Sequence, residues 1–156
     1  MRGYFLLFVF FISLMRADYL DVGSSVEKLN KFEYENPNGV RLKIPKETKL
    51  FIVSFEKDTG VFVNDYLKIK NPDYLDKNSA VFIADINKMP SIITKMFALP
   101  KLRKYKHPIY INYDENFEKV VPSKEDMTTL IFVKESKIQK ISYISEQKEL
   151  KAAIEQ

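Results

Sequence analysis

Apolar residues along this chain recur at two different periods, and the places where the period changes mark its elements. After a polar leader, "KFEYE" and "VRLKI" alternate in type, so that Phe32 and Tyr34, then Val40, Leu42 and Ile44, share a face at a period of two. "NPNG" between them supplies turn chemistry, and the pattern predicts a β-hairpin with Gly39 in the left-handed position. "KLFIVSF" and "AVFIADI" are almost unbroken apolar runs of strand length, as expected of strands covered on both faces. Between them, "GVFVNDYLKI" offers Val61, Tyr66 and Leu67 as the buried face of a helix, and "NPDYLDKNS" reads as a loop. Two such strands joined through a helix predict a right-handed βαβ crossover.

Met89-Pro90-Ser91 opens a further helix, because proline is tolerated in a first turn. Ile92, Ile93 and Met96 recur there at helical spacing and predict a core-facing stripe, with Pro100 breaking or kinking the helix. "PIYINYDENFEKVV" alternates around Ile109 and Ile111, with a turn at "DEN". "TTLIFV", the turn "KES" and "KIQKISYIS" predict an antiparallel hairpin, and "EQKELKAAIEQ" a closing amphipathic helix. The order is a hairpin, then β-α-β-α-β, then a hairpin and a helix: an α/β fold with a mixed central sheet flanked by helices.

This order and its motifs resemble the thioredoxin-like fold, in particular exported redoxins related to peroxiredoxins and cytochrome-maturation thioredoxins. The resemblance spans roughly residues 31 to 154 and rests on "FEYENPNGVRLKIPKETKLFIVSF" and "HPIYINYDENFEKVVPSKEDMTTLIFVKESKIQKISYIS". In that family an active C-x-x-C turn stands at a strand-to-helix junction, which would fall near Asp58-Thr59-Gly60-Val61, and a cis-proline precedes the Thr128-Thr129 position. Here Met127 occupies the proline position, which disfavours a cis bond by about 2.5 to 4 kcal/mol. The resemblance implies that Asp58, Thr59, Gly60, Met127 and Thr128 form one face, and these are the candidate binding residues.

The chain has no cysteine, so it holds no thiolate to attack a disulfide or a peroxide. Thiol–disulfide exchange and thiol peroxidase activity are excluded. What remains is a binding or accessory module for a protein or small ligand. Two other classes are an enzyme using a carboxylate at the turn, Asp58 or Glu56, and a structural part of an envelope assembly.

Composition refines this picture at the ends. "MRGYFLLFVFFISLMRA" has an early arginine, an apolar run from Tyr4 to Met15 and a small residue at Ala17, the pattern of a signal peptide. The run is shorter than the roughly 20 residues a membrane span needs. Residues 1–17 are therefore expected to direct export to the periplasm or beyond, with cleavage after Ala17, leaving a leader over 18–30 and a domain over 31–156. The alternative is an uncleaved anchor. Without Arg2 and Arg16 the net charge falls from +4 to +2, and the charges read as interspersed, which argues against nucleic acid as a partner.

Local chemistry is sparse. Asp58 is expected to cap a helix N-terminus, while Thr59 and Gly60 could leave amides free for a small anion. His107, the only histidine, reads as a surface or strand-start residue. No metal-ligand spacing and no phosphate loop is present, and no cofactor is expected. Lys101, Arg103, Lys104 and Lys106 around Tyr105 form the densest basic cluster, a solvated helix end or a contact for an anionic partner or membrane surface.

Overall fold

The computed structural model describes residues 19–156, so the predicted signal segment and its cleavage point lie outside the described residues. Seven strands form one mixed sheet: β1 (Tyr34–Glu35), β2 (Arg41–Leu42), β3 (Leu50–Ser54), β4 (Ala80–Asp85), β5 (Tyr110–Asn112), β6 (Thr128–Lys134) and β7 (Lys137–Ile144). Their spatial order is β2-β1-β5-β4-β3-β6-β7. The central strands β3, β4 and β5 run parallel, and the outer pairs are antiparallel.

Both apolar runs behave as their composition requires, since every residue of β3 and β4 is buried. Alternation along β3 divides the core. Leu50 and Ile52 meet α2 (Lys57–Leu67), α3 (Tyr74–Lys77) and α6 (Gln147–Ile154) through Val63, Leu67, Leu75 and Leu150. Phe51 and Val53 point to the opposite face, against Phe32, Tyr34 and Phe117, the last from α5 (Phe117–Val120).

Both hairpins match their sequence signals. Gly39 has φ +78°, and the β6–β7 turn has Glu135 and Ser136 at φ 51° and 62°, the doubled left-handed geometry of a two-residue hairpin. Within the first hairpin, however, Val40 is 57% exposed, because the β1–β2 pairing begins one residue later at Arg41.

Residues 19–30 are part of the fold. Leu20 and Leu29 are fully buried, the second in the short helix α1 (Glu27–Asn30), and Ser25 bridges to Lys137 on β7. Two apolar side chains among many polar ones suffice to seat this stretch, and their spacing matches no regular period.

The helix after β4 departs furthest from its sequence pattern. It begins as Ser91–Ile93, continues as a π-helix over Thr94–Ala98 and returns to α-helical form over Leu99–Leu102; together these make α4. Pro100 does not break it. The wider π turn moves the preceding carbonyls out of the path of the proline ring, and the Leu99 amide bonds back to Thr94. The stripe expected to face the core faces solvent instead, with Ile92, Ile93, Met96 and Phe97 exposed at 62, 43, 62 and 63%. Leu99 and Leu102 dock the helix onto the core in their place. Periodicity identifies an apolar face but not what covers it.

Candidate functional site

The strand-to-helix junction after β3 is closed by its own side chains. Glu56, and not Asp58, is the N-cap of α2, forming a reciprocal capping box with Thr59. Thr59 Oγ1 accepts from the Glu56 amide at 3.2 Å and donates to the Glu56 carbonyl at 3.0 Å. The Gly60 amide donates to the same carbonyl at 3.0 Å. The amides of Thr59 and Gly60 are thus engaged within the chain, which removes the small-anion reading of this turn. Asp58, two residues past the capping position, is exposed.

Glu56 has a second task. Its carboxylate accepts from the Asp126 amide at 3.2 Å, tying the loop before β6 to the start of α2. The turn at 58–60 and the loop bearing Met127 are therefore held together. Met127 is half-buried, Thr128 is 1% exposed with its Oγ1 unpartnered, and all described peptide bonds are trans.

Beside this junction lies a cleft of about 750 Å³ at the carboxyl ends of β3 and β4. Its wall is mostly apolar: Val61 from α2, Ile86 and Met89 after β4, and Ile93, Phe97 and Leu102 from α4. Lys57, Lys88 and Lys101 also line it. Of the five residues expected to form the site, only Gly60 lines the cleft; of the basic cluster, only Lys101 does. Val61, expected in the core, lines it too, and Val63 takes the buried position.

Two polar side chains of the cleft, Asp85 and Asn64, are ones the sequence pattern did not single out. Asp85, ending β4, is 5% exposed, and burial pushes its carboxyl pKa above the ordinary value. Asn87 Nδ2 donates to it at 2.7 Å and Asn112 Nδ2 at 3.0 Å, partly offsetting that rise. Asn112 Oδ1 is buried without a partner. A single acid terminating an apolar strand was the available signal.

On the α2 side, Asn64 lines the cleft and donates to the Gly60 carbonyl at 2.9 Å. Its Oδ1 sits 2.8 Å from His107 Nε2. His107 is therefore not a surface residue: it is 6% exposed, packs against Tyr105 at 5.2 Å between ring centroids, and has its pKa pushed down to about 4 by burial. Neutral His107 donates from Nε2 to the amide oxygen, which fixes its tautomer.

The Asp85 carboxyl is occupied by two side-chain amides, and no histidine or thiol faces it to form a nucleophile–base pair. The concave cleft holds the buried Asp85 and not Asp58, while an exposed apolar surface occurs on α4. Among the described residues no group of three or more His, Asp or Glu could hold a metal ion. The basic residues Lys101, Arg103, Lys104 and Lys106 are all exposed, with Arg103 Nε donating to the Pro37 carbonyl at 2.9 Å.

No protein-family model matches the sequence, and no curated protein matches it. Solved structures do. A solution structure of an uncharacterised thioredoxin-like protein from Porphyromonas gingivalis aligns with a TM-score of 0.52 at 15% identity, covering 80% of this chain and 87% of the other. A candidate protein disulfide isomerase from Bacteroides thetaiotaomicron aligns with a TM-score of 0.51 at 16% identity, covering 88% and 86%. At such identities the likeness concerns the backbone and not the activity. This chain has a thioredoxin-like fold, and it carries no cysteine.

Proposed function

We propose that this chain is an exported binding or accessory module without thiol redox activity, and that it takes an apolar group bearing negative charge into the cleft between α2 and α4. The observation that carries the reading is the cleft itself, about 750 Å³ with a largely apolar wall, a size and character typical of sites for small ligands or a partner's anchoring side chain. Lys57, Lys88 and Lys101 line it against the carboxyls of Glu56 and Asp85, so cations outnumber acids in the lining, which supports an anionic group. The face formed by Asp58, Thr59, Gly60, Met127 and Thr128 adjoins the cleft through the Glu56–Asp126 bond and would be the rim a larger partner touches.

The test is a titration of the native protein with 1-anilinonaphthalene-8-sulfonate, an apolar anion. Saturable binding is expected in the native chain and in a variant carrying Asp58→Ala and Met127→Ala, with loss in Ala98→Trp, which fills the cleft. Thermal melts check that each variant is folded. Binding unaffected by Ala98→Trp would refute the cleft, and no saturable binding would refute the choice of an apolar anion.

A further inference from the structure

Helix α4 and the segment after it bring together a cluster of exposed apolar side chains and a run of cations. Its exposed apolar residues Ile92, Ile93, Met96 and Phe97 form two i,i+4 pairs side by side, with Ile93 and Phe97 at the border of the cleft. The stretch from Ile86 to Lys106 contains Lys88, Lys95, Lys101, Arg103, Lys104 and Lys106 and no acidic residue, so the chain outside it sums to −2 against +4 for the whole. Lys88 is paired with Glu118, but the ion pairs among the described residues include none of the other five cations. Charge that reads as interspersed over the whole sequence is concentrated around one apolar helical face.

We infer that α4 is a docking surface for an anionic lipid bilayer, with Ile92, Ile93, Met96 and Phe97 entering the headgroup region and Lys95, Lys101, Arg103, Lys104 and Lys106 meeting lipid phosphates or carboxylates. The charge complementarity selects anionic lipid: exposed apolar side chains on α4 are accompanied by Lys95 and Lys101 on the helix and by Arg103, Lys104 and Lys106 directly after it, the pairing an interfacial amphipathic segment uses. An acidic protein partner is less well matched, because its specific recognition calls for fixed hydrogen-bonding groups, and this face offers long, exposed cations. No helix of the described residues is long and apolar enough to cross a membrane, so the contact is one of lying on the surface. Ile93, Phe97 and Lys101 also line the cleft, so a ligand there and a bilayer would share part of this helix.

Because the chain lacks cysteine, a single introduced thiol reports locally even in the full chain, whose apolar first residues could bind lipid by themselves. Met96→Cys and, on the edge strand β7, Lys140→Cys would each be labelled with an environment-sensitive nitrobenzoxadiazole dye. Vesicles of phosphatidylcholine with 30% phosphatidylserine or phosphatidylglycerol should blue-shift the dye at 96 and shield it from an aqueous quencher, while the dye at 140 stays quenchable. Pure phosphatidylcholine should do neither. Lys101→Glu with Lys104→Glu should weaken the response at least about tenfold, as should 0.5 M salt. Equal responses at 96 and 140, or an equal response to neutral vesicles, would overturn the proposal. A dye at 96 that ignores vesicles but responds to polyglutamate would overturn it in favour of an acidic protein partner.

Discussion

His107 gives a sharp prediction because it is the only histidine in the chain, so its titration can be isolated from all others. Its pKa is lowered from 6.5 to about 4 by burial behind the Asn64 wall of the cleft. Between those two values the unfolded chain binds a proton that the folded chain refuses, and stability therefore rises with pH across this window and falls on acidification. At neutral pH the histidine carries no such penalty. At pH 5 the cost reaches about 2 kcal/mol, and below pH 4 it levels off near 3 kcal/mol. Replacing His107→Gln removes the titration while keeping a side chain able to donate to Asn64 Oδ1. Urea unfolding of both proteins at pH 7.5, 6, 5 and 4.5 measures the difference, in which the carboxylates common to both cancel. The native protein should lose about 2 kcal/mol relative to the variant between pH 7.5 and 5. Parallel pH profiles, or an imidazole that titrates near 6.5 by NMR in the folded protein, would refute the reasoning.

Three other perturbations test neighbouring parts of the site. Gly60→Ala places its Cβ 3.5 Å from Ser54 Oγ, an ordinary contact inside α2, so it should stabilise the fold by about 0.5 to 1 kcal/mol in thermal or urea unfolding; destabilisation would show that Gly60 is required there. Asp85→Asn should remove a pH dependence of opposite sign to that of His107, since a carboxyl with a raised pKa favours folding at low pH and loses that contribution as pH rises through its folded value; urea unfolding across pH reads the difference in slope. Glu56→Ala should cost about 1 kcal/mol through the lost cap, and hydrogen exchange should quicken at Asp126 as well as in the first turn of α2.

The fold was legible where a local pattern has only one physical solution. A two-residue turn between alternating runs can scarcely be other than a hairpin, and an apolar run five or six residues long, bounded by turns, makes a buried strand of β3 and of β4. Elements whose meaning depends on a distant neighbour were harder to read. The stripe Ile92, Ile93, Met96 marks a helical face correctly, but solvent covers it because Leu99 and Leu102 supply the docking contacts. His107 is buried by Asn64, a residue 43 positions away, and nothing in "KYKHPI" announces that partner. The cleft escaped for the same reason: Val61, Asp85 and Phe97 come from three elements that only the parallel crossovers bring together. Asp58 drew attention as the acid nearest the helix start, whereas capping depends on where the helix begins, and that is one residue after Glu56.

The two buried titratable groups at the cleft act against each other, and this shapes how the protein responds to pH. From about pH 4 upward His107 adds stability as its proton leaves the unfolded chain, while Asp85 withdraws stability as its proton is lost from the unfolded chain first. Where the Asp85 window overlaps that of His107, partial cancellation should flatten the native profile, so a flat curve there in the native protein is not evidence that neither group is perturbed. His107→Gln should leave a profile that falls with rising pH over part of this range, and Asp85→Asn one that rises. The two slopes appear only when each opponent is removed. A chain in which both substitutions leave the curvature unchanged would owe its pH response to the exposed acids, and the buried pair could then be discounted as the source.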